Sequence, residues 1–412
     1  MVQVKTCQNG VRIVSEHIPH TRSISLGIWV DAGSRYEQPE ENGITHFIEH
    51  MLFKGTKTRT AKQIAESFDR IGGEVNAFTS KEHTCYYAKV LDHHAHIALD
   101  ILSDMFFNSA FNAEEIEREK QVVLEEIYMS EDDAADDVHE KLWEIMYPND
   151  ALGLPILGSE ETLMTFTEEK IRHYMAKHYG PQNVVISVAG NITEEILQEI
   201  ETQFGQYEAS LLAEKPELTY PPFMPGEFIK ERDTEQAHVA ISFPAINVKD
   251  SKMYSFVALN NIIGGNMSSR LFQEVREERG LAYTIYSYHT CYVDVGAFTI
   301  YGSASKQNLS AMQHTIDATL LDLVAGGITE QELKDAKDQL KGSFVLGLEG
   351  SEAHMTRNGV NELIHGQHKT VDEVLANIDA ITMDMINDLI TDILLEEPAI
   401  AIIGPELDNK NK

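Results

Sequence analysis

The sequence predicts an α+β fold with two homologous domains, each a mostly antiparallel sheet covered by helices on one face. The first observation behind this prediction is that strands and helices follow the same order in both halves: strand, helix, strand, strand, helix, helix. The second is a repeated string, His-Thr-Cys-Tyr, which begins at His83 and again at His289, 289 − 83 = 206 residues later in a chain of 412. Both copies lie in segments with strand character, so we interpret the two halves as a duplication.

Strands in the first half are predicted where β-branched and aromatic residues cluster, and helices where apolar residues recur every three to four positions. Thr60 begins a helix that ends at the pair Gly72-Gly73, and Asn112 begins a long helix with Glu115 in capping-box position. The N-terminal residues are expected to form a strand pair. The predicted strands are 11–14, 24–30, 74–80, 84–90 and 184–189, and the predicted helices include 60–71, 93–107, 131–146, 167–178 and 193–206.

The second half follows the same rules after a segment rich in proline. Residues 207–226 contain Pro216, Pro221, Pro222 and Pro225 and show little periodicity, which is typical of a linker. We therefore predict domains at 1–206 and 227–412. The predicted strands of the second half are 238–243, 283–288, 296–302 and 399–403, and its predicted helices are 252–263, 271–278, 306–325, 329–345, 351–365 and 372–394.

Composition excludes several classes of function. The formal net charge is −33, whereas nucleic acids and anionic membranes attract proteins with a basic face, so we expect neither partner. The three cysteines form no Cys-x-x-Cys motif, which favours a reducing compartment over a disulfide framework. The N-terminus shows no apolar targeting segment and the chain no apolar run of about 18 residues, so we expect a cytoplasmic protein.

Residues 43–56 contain two histidines, His46 and His50, four positions apart. On a helix, this spacing places both imidazoles on one face, where they can bind one metal ion. Glu49 projects about 60° away from His46 and can reach a water molecule at the metal without binding the metal itself. The motif is H-x-x-E-H, the inverse of the more common zinc-protease pattern. The alternative is an ordinary histidine pair with a capping or core role.

A zinc hydrolase needs a third protein ligand. The best candidate element is the helix that follows Asn112, where Glu119 and Glu126 are seven residues, or two turns, apart on one face. Acids on an otherwise apolar face are costly to bury without a cation. The alternative is a solvated helix face.

Three segments resemble the pitrilysin-type, or inverted-zincin, metallopeptidases: THFIEHMLFKGT, GGEVNAFTSKEHTCYY and EREKQVVLEEI. The most similar branch is the processing-peptidase subfamily, which includes the catalytic beta subunit of mitochondrial processing peptidase. In that family a ligating Glu follows the second histidine by about 76 residues. Here 126 − 50 = 76, so the resemblance implies Glu126 as third ligand, Glu119 as a supporting acid and Glu49 as general base.

The resemblance also assigns roles outside the metal motif. Arg276 and Tyr283 match a C-terminal motif in which the Arg contacts substrate backbone and the Tyr stabilises the oxyanion; from the residues alone they are a surface Arg and a strand Tyr. Four strand residues match the edge that pairs with extended substrate: Asn76, Ala77, Phe78 and Thr79. The second half lacks a metal motif, which implies a degenerate repeat.

Together these features predict a metalloendopeptidase with one Zn²⁺ per chain that cleaves peptides or unfolded, presequence-like segments. The resemblance implies that one chain forms half of a clamshell chamber, so we expect a homodimer or a heterodimer with a paralogue. The alternative is a non-catalytic or partner-dependent peptide-binding scaffold subunit of the same fold.

Overall fold

The computed structural model describes residues 2–208, 218 and 220–405. They form two compact units, and neither unit is continuous in sequence. The first unit comprises the described residues of Met1–Tyr128, Leu154–Glu217 and Leu346–Thr370. The second comprises those of Met129–Gly153, Leu218–Val345 and Val371–Lys412.

Strands and helices occur in both halves of the chain, mostly where the patterns predict them. The strands are β1 (Val2–Thr6), β2 (Arg12–His17), β3 (Ser23–Val30), β4 (Glu74–Thr79), β5 (Thr84–Leu91), β6 (Val184–Gly190), β7 (Gly226–Glu231), β8 (Ala237–Ala245), β9 (Thr284–Cys291), β10 (Gly296–Ala304) and β11 (Ala399–Gly404). The α-helices are α1 (Ile44–Leu52), α2 (Ala61–Ile71), α3 (Ala95–Asn108), α4 (Ala113–Asp132), α5 (Ala134–Met146), α6 (Glu160–Leu163), α7 (Glu168–His178), α8 (Glu194–Phe204), α9 (Met253–Ile263), α10 (Lys306–Gly326), α11 (Glu330–Gly347), α12 (Ser351–Ile364), α13 (Val371–Asp379) and α14 (Met383–Leu394).

Each unit is built around one mostly antiparallel sheet, which confirms the predicted fold class. The strand order is β1-β2-β6-β3-β5-β4 in the first unit and β7-β11-β8-β10-β9 in the second. Among the described strands, the parallel pairs are β2 with β6 and β7 with β11. Strand β4 lies at one edge of the first sheet, beside β5.

The expectation that helices cover one face of each sheet is wrong. In the first unit, alternate residues of β3 such as Leu26 and Ile28 belong to the core formed with α1 and α3, whereas Trp29 packs with Met355 of α12 on the opposite face. In the second unit α5 takes the corresponding role. Its Val138 and Leu142 cluster with the sheet residues that face away from the larger core. Because strand residues alternate between faces, a sheet with apolar residues on both faces needs cover on both.

Helix α12 approaches the first sheet closely because glycines line the contact. A Cβ at Gly359 would lie 2.3 Å from Nε1 of Trp29, and one at Gly27 would lie 2.4 Å from Sδ of Met355. The indole and the helix therefore occupy space that any other residue at position 359 would need.

Polar contacts complete the docking of α12. Glu16 of β2 accepts a hydrogen bond from Nδ2 of Asn358 at 2.8 Å, and one of its carboxylate oxygens lies 2.9 Å from Nδ1 of His354. Oγ of Ser187 donates to the carbonyl oxygen of Met355 at 2.7 Å. Because these groups are largely buried, each partner offsets the desolvation of the other.

Several boundaries differ from the expectations. The predicted helix 372–394 is two helices, since Thr382 caps α14 by accepting a hydrogen bond from the N–H of Met385. Phe272–Glu278 is a π-helical segment, and β7 begins at Gly226, inside the predicted linker. Residues 209–217 and 219 of that linker, with Pro216, lie outside the described residues. Within the described part of the chain, no helix is long and apolar enough to cross a membrane.

We expect Gly359→Ala to destabilise the first unit, although alanine has the higher helix propensity. Overpacking against Trp29 should cost about 1–3 kcal/mol. Gly342→Ala is the matched control, because Gly342 lies in α11 and its Cβ would contact nothing within 4 Å. There the propensity gain of up to about 1 kcal/mol should appear as a higher melting temperature. Equal melting temperatures of the two variants would contradict the close packing of α12.

The ion pair of Glu16 and His354 should make the stability of the first unit depend on pH. Burial opposes ionisation of Glu16, but hydrogen bonds from His354 and Asn358 outweigh it and lower its pKa from 4.5 to about 2. The hydrogen bond to Glu16 in turn raises the pKa of His354 above 6.5. The acid contributes stability above pH 4.5 and loses it as the pH falls, whereas the histidine contributes below pH 6.5 and loses it as the pH rises.

The stabilising effect of the pair should therefore be greatest between about pH 4.5 and 6.5. There His354→Gln should lower the free energy of unfolding by about 1 kcal/mol, and by less at pH 8.5. Urea unfolding followed by Trp29 fluorescence, in a Trp143→Phe background, measures this. His20→Gln, a change at an exposed histidine, is the control and should show no such pH dependence.

Candidate metal centre

The helix that carries the H-x-x-E-H motif is fixed at its N-terminus by a buried carboxylate. Glu37 accepts hydrogen bonds from the backbone N–H groups of Gly43 and Thr45, both at 2.8 Å, and from Nδ2 of Asn42 at 3.1 Å. Burial raises the pKa of Glu37 to about 7, although these donors favour its ionised form. A carboxylate at this end of a helix satisfies free N–H groups and complements the helix dipole.

The opposite faces of α1 have different environments. Phe47, Ile48, Met51 and Leu52 are buried in the core of the first unit. His46 and His50, four residues apart, share the face that points towards α4, and their ring centroids are 4.6 Å apart. The apolar residues therefore hold the helix, and the two imidazoles remain available for binding.

Three side chains converge at this face. One ligand atom each from His46, His50 and Glu126 can be chosen so that all lie within 4.8 Å of one another. Oε2 of Glu126 is 3.8 Å from Nε2 of His46 and 3.5 Å from Nε2 of His50. Two nitrogens and one carboxylate oxygen at these distances could hold a metal ion and leave a coordination position open.

The protonation state of His46 suits metal binding. Burial, with the adjacent charge of His50, lowers the pKa of His46 to about 3, so its ring is neutral at neutral pH. Neutral imidazole is the form that coordinates a metal. For His50, burial lowers the pKa, but the carboxylates of Glu119, Glu126 and Glu49 outweigh it and raise the pKa above 6.5.

Glu119 orients one of the two histidines. Its Oε1 lies 2.8 Å from Nδ1 of His50, and its Oε2 accepts a hydrogen bond from Nζ of Lys54 at 2.6 Å. The Glu119 side chain is 4% exposed, so this carboxylate needs both partners. With Nδ1 occupied, Nε2 of His50 is the nitrogen left for a metal, as is usual for metal-binding histidines.

Glu49 is held separately from the three converging side chains. Oγ1 of Thr79, at the end of β4, donates a hydrogen bond to Oε2 of Glu49 at 2.5 Å. Burial raises the pKa of Glu49, and this hydrogen bond opposes the rise. A carboxylate with a raised pKa beside a metal position can both accept and return a proton.

The four predicted substrate-binding residues lie on β4, an edge strand of the first sheet. Asn76, Ala77, Phe78 and Thr79 pair with β5 on one side, and the described strands provide no partner on the other. An edge strand of this kind can accept an additional strand through its free N–H and C=O groups.

Arg276 and Tyr283 lie in the second unit and contact each other. The guanidinium of Arg276 lies 4.4 Å from the ring centroid of Tyr283 and 4.7 Å from that of Phe272, and it donates to the carbonyl oxygen of Tyr283 at 3.0 Å. Tyr283 is 74% exposed. Arg276 belongs to the π-helical segment, a conformation often found at functional sites.

Comparison with known proteins gives the family. Residues 12–160 match the profile described as Insulinase (Peptidase family M16), and residues 165–340 match that of the Peptidase M16 inactive domain. The chain is 50% identical over 405 residues to "Uncharacterized zinc protease YmxG" of Bacillus subtilis, with 98% of each chain covered. The chain belongs to peptidase family M16. This confirms the predicted family, whereas its processing-peptidase branch stays a prediction.

Other similarities agree with this membership. "Uncharacterized zinc protease SCO5738" of Streptomyces coelicolor is 39% identical over 418 residues, which cover 99% of this chain and 91% of that protein. A crystal structure of a protease from Helicobacter pylori superposes with a TM-score of 0.90 at 21% identity over 98% of this chain and 99% of that one. A Pseudomonas fluorescens structure described as a peptidase M16 inactive domain gives 0.92 at 19% identity over 100% and 99%. These structures support the fold alone.

Two residues of the centre were missed by the sequence analysis. Lys54 follows His50 by four positions, a spacing that places both side chains on the same side of the chain if the helix continues. This spacing could have indicated that both contact the same residue, which is Glu119. Glu37 lies outside the predicted strands and helices, and its hydrogen-bond donors belong to residues 42–45, so no periodic pattern marks it.

We expect Glu37→Ala to loosen α1. Loss of the cap leaves the N–H groups of Gly43 and Thr45 buried without an acceptor, at a cost of about 2 kcal/mol. Hydrogen exchange of the amides of residues 44–52 should become roughly 30-fold faster. Glu37→Gln keeps one acceptor oxygen and should give an intermediate rate. Unchanged exchange in the alanine variant would show that the core, and not the cap, holds the helix.

Proposed function

We propose that the protein is a zinc-dependent metalloendopeptidase of the H-x-x-E-H type that cleaves peptides or unfolded, presequence-like segments. The observation that carries the proposal is the convergence of His46, His50 and Glu126. The two histidines lie on α1, and Glu126 lies on α4, 126 − 50 = 76 residues after His50. Family membership and the relatives named zinc proteases support the choice of peptidase chemistry.

The donor set fits zinc. Two imidazole nitrogens and one carboxylate oxygen are typical ligands of a catalytic zinc site, in which a fourth position stays open. His50 has an oriented ring through Glu119, the support that zinc-binding histidines commonly have. We assign one Zn²⁺ per chain, with His46, His50 and Glu126 as its ligands. When bound, zinc supplies a Lewis acid that polarises the scissile carbonyl and makes a water molecule more acidic.

Glu49 acts as general base and then as general acid in this proposal. Thr79 holds the Glu49 carboxylate by its Oε2 oxygen. Glu49 takes a proton from the attacking water and returns it to the leaving amine of the cleaved peptide. Glu119 contacts His50 and is itself held by Lys54, so both residues support catalysis by keeping the His50 ring in place.

Substrate contacts are assigned to two further groups. The edge of β4, at Asn76, Ala77, Phe78 and Thr79, would pair with extended substrate, because main-chain hydrogen bonds bind polypeptide without strict sequence demands. Arg276 would contact substrate backbone and Tyr283 would stabilise the oxyanion, since the exposed tyrosine has a hydroxyl that can donate a hydrogen bond.

The proposed partners and location rest on the family resemblance, the net charge and the cysteines. The resemblance to enzymes with a four-domain chamber implies a homodimer or a heterodimer with a paralogue. The net charge of −33 argues against nucleic acid and anionic membrane as partners. A cytoplasmic location remains the expectation from the cysteines.

A non-catalytic scaffold is the alternative. The profile described as inactive covers residues 165–340, whereas the converging side chains lie in the part that matches the peptidase profile. The convergence of His46, His50 and Glu126 within the peptidase-profile part of the chain therefore favours the enzyme over the scaffold.

We expect Glu49→Gln to retain zinc and lose activity. Removal of a general base should lower kcat about 10²–10⁴-fold, since the amide cannot accept the proton. Metal content by mass spectrometry and cleavage of a quenched fluorescent peptide library measure the two effects. Cleavage at the wild-type rate would exclude the proposed role of Glu49.

Glu126 and its neighbour Glu125 offer a matched pair of substitutions. Glu126→Gln should weaken zinc affinity by more than about tenfold, because loss of even an outer partner of a ligand commonly costs about 10–100-fold. Glu125 is exposed on α4, so Glu125→Gln should bind zinc as the wild type does. Competition with a zinc-binding dye gives both affinities. Equal affinities would show that Glu126 is not a ligand.

A further inference from the structure

The second unit contains a cavity of about 510 Å³, whereas the converging metal-binding side chains belong to the first unit. Its apolar lining includes Phe223, Pro225, Ile246 and Ile393. The volume lies within the range of about 300–1,000 Å³ that is common for ligand sites. The lining is suited to hydrocarbon, and the cavity is large enough for more than one amino-acid side chain.

Three carboxylates complete the lining of this cavity: Asp392, Glu396 and Glu397. Asp392 forms an ion pair with Lys252 at 3.1 Å. Glu396 and Glu397 are exposed and, among the described residues, have no cationic partner. At least two negative charges at the cavity are therefore not neutralised.

The end of α14 adds to this negative potential. The helix ends at Leu394, so its C-terminus, which carries the negative end of the helix dipole, lies beside the cavity. Its last turn contains no basic residue. Acids at this end of a helix are unfavourable by themselves, because the helix dipole favours cations there. A cation bound at the cavity would interact favourably with both the carboxylates and the helix dipole.

We propose that this cavity, which we call the α14 pocket, docks a basic side chain together with a flanking apolar residue from an extended polypeptide. The carboxylates and the helix C-terminus would face the ammonium or guanidinium group. Phe223 and Pro225 would pack against the hydrocarbon stem and the apolar neighbour. That the docked polypeptide is a substrate rests on the proposed peptidase function. The pocket thereby favours basic, unfolded segments over acidic ones.

The experiment measures docking apart from cleavage. The probe is a fluorescein-labelled decapeptide in which arginine and leucine alternate, and its control has glutamine in place of each arginine. Fluorescence anisotropy gives Kd in the zinc-loaded Glu49→Gln protein, so that any peptidase activity does not consume the probe. The test variant adds Glu396→Gln and Glu397→Gln. The matched control adds Glu194→Gln and Glu195→Gln, an exposed acidic pair in the first turn of α8 that gives the same change in net charge.

We expect the Glu396/Glu397 variant to bind the arginine probe roughly tenfold more weakly, and the Glu194/Glu195 variant to bind it as the parent does. The difference should shrink between 50 and 200 mM salt, since exposed charges are screened. An unchanged Kd in the Glu396/Glu397 variant, or equal weakening in both variants, overturns the proposal.

The two proposals can fail separately. If docking depends on Glu396 and Glu397 but the wild type cleaves no peptide, the pocket stands and the peptidase function fails. If the wild type cleaves the arginine probe and the Glu396/Glu397 variant binds it with an unchanged Kd, the pocket proposal fails and the peptidase function stands. The melting temperature of each variant checks that the second unit remains folded.

Discussion

The candidate centre depends on one buried polar contact between α1 and α4, the carboxylate of Glu119 between His50 and Lys54. A carboxylate that is 4% exposed is tolerated because one oxygen lies against an imidazole and the other accepts from an ammonium group. This contact acts together with Ile116, Val123 and Ile127 of α4, which are buried in the same core as the apolar face of α1. Glu126, two turns further along α4, then lies on the same face and reaches both histidines. The position of Glu126, the proposed third ligand, therefore follows from the packing of α4 beside α1.

The other end of α1 is held in a different way. Glu37 accepts hydrogen bonds from the backbone N–H groups of Gly43 and Thr45, which have no acceptor within the helix. Glu49, near the C-terminal end of the helix, is held by Thr79 of β4. The helix is thus held by polar contacts at both ends and by apolar packing in between. Such restraint suits a site in which displacement of a ligand by a fraction of an ångström weakens metal binding.

The two sheets show why continuity in sequence misleads about compact units. Trp29 and Cys85 belong to a buried cluster with Met355, which is far away in sequence. In the second unit, Ala297 and Tyr301 lie in a cluster with residues of α5. One face of each sheet is covered by a helix that is distant in sequence, α12 for the first sheet and α5 for the second. A helix assigned to one half by its position in the chain therefore stabilises the unit formed mainly by the other. The contact between Glu16 of β2 and His354 of α12 also restricts how the helix is oriented on the first sheet.

The sequence by itself indicated most of the strands and helices, and it placed His46 with His50 and Glu119 with Glu126 on common helix faces, because these features depend on local spacing. It pointed to Glu126 as the proposed third ligand only through the resemblance to a known family. The four-residue spacing of His46 and His50 and the seven-residue spacing of Glu119 and Glu126 are properties of a helix, and alternating residues define strands wherever they pair. Only the tertiary structure decided which faces of the sheets were covered, that Glu37 caps α1, and that Lys54 supports Glu119. Those contacts join segments that are far apart or irregular in the chain, so no periodic sequence pattern predicts them. They are chosen by the burial of apolar area and by the need of each buried polar group for a partner.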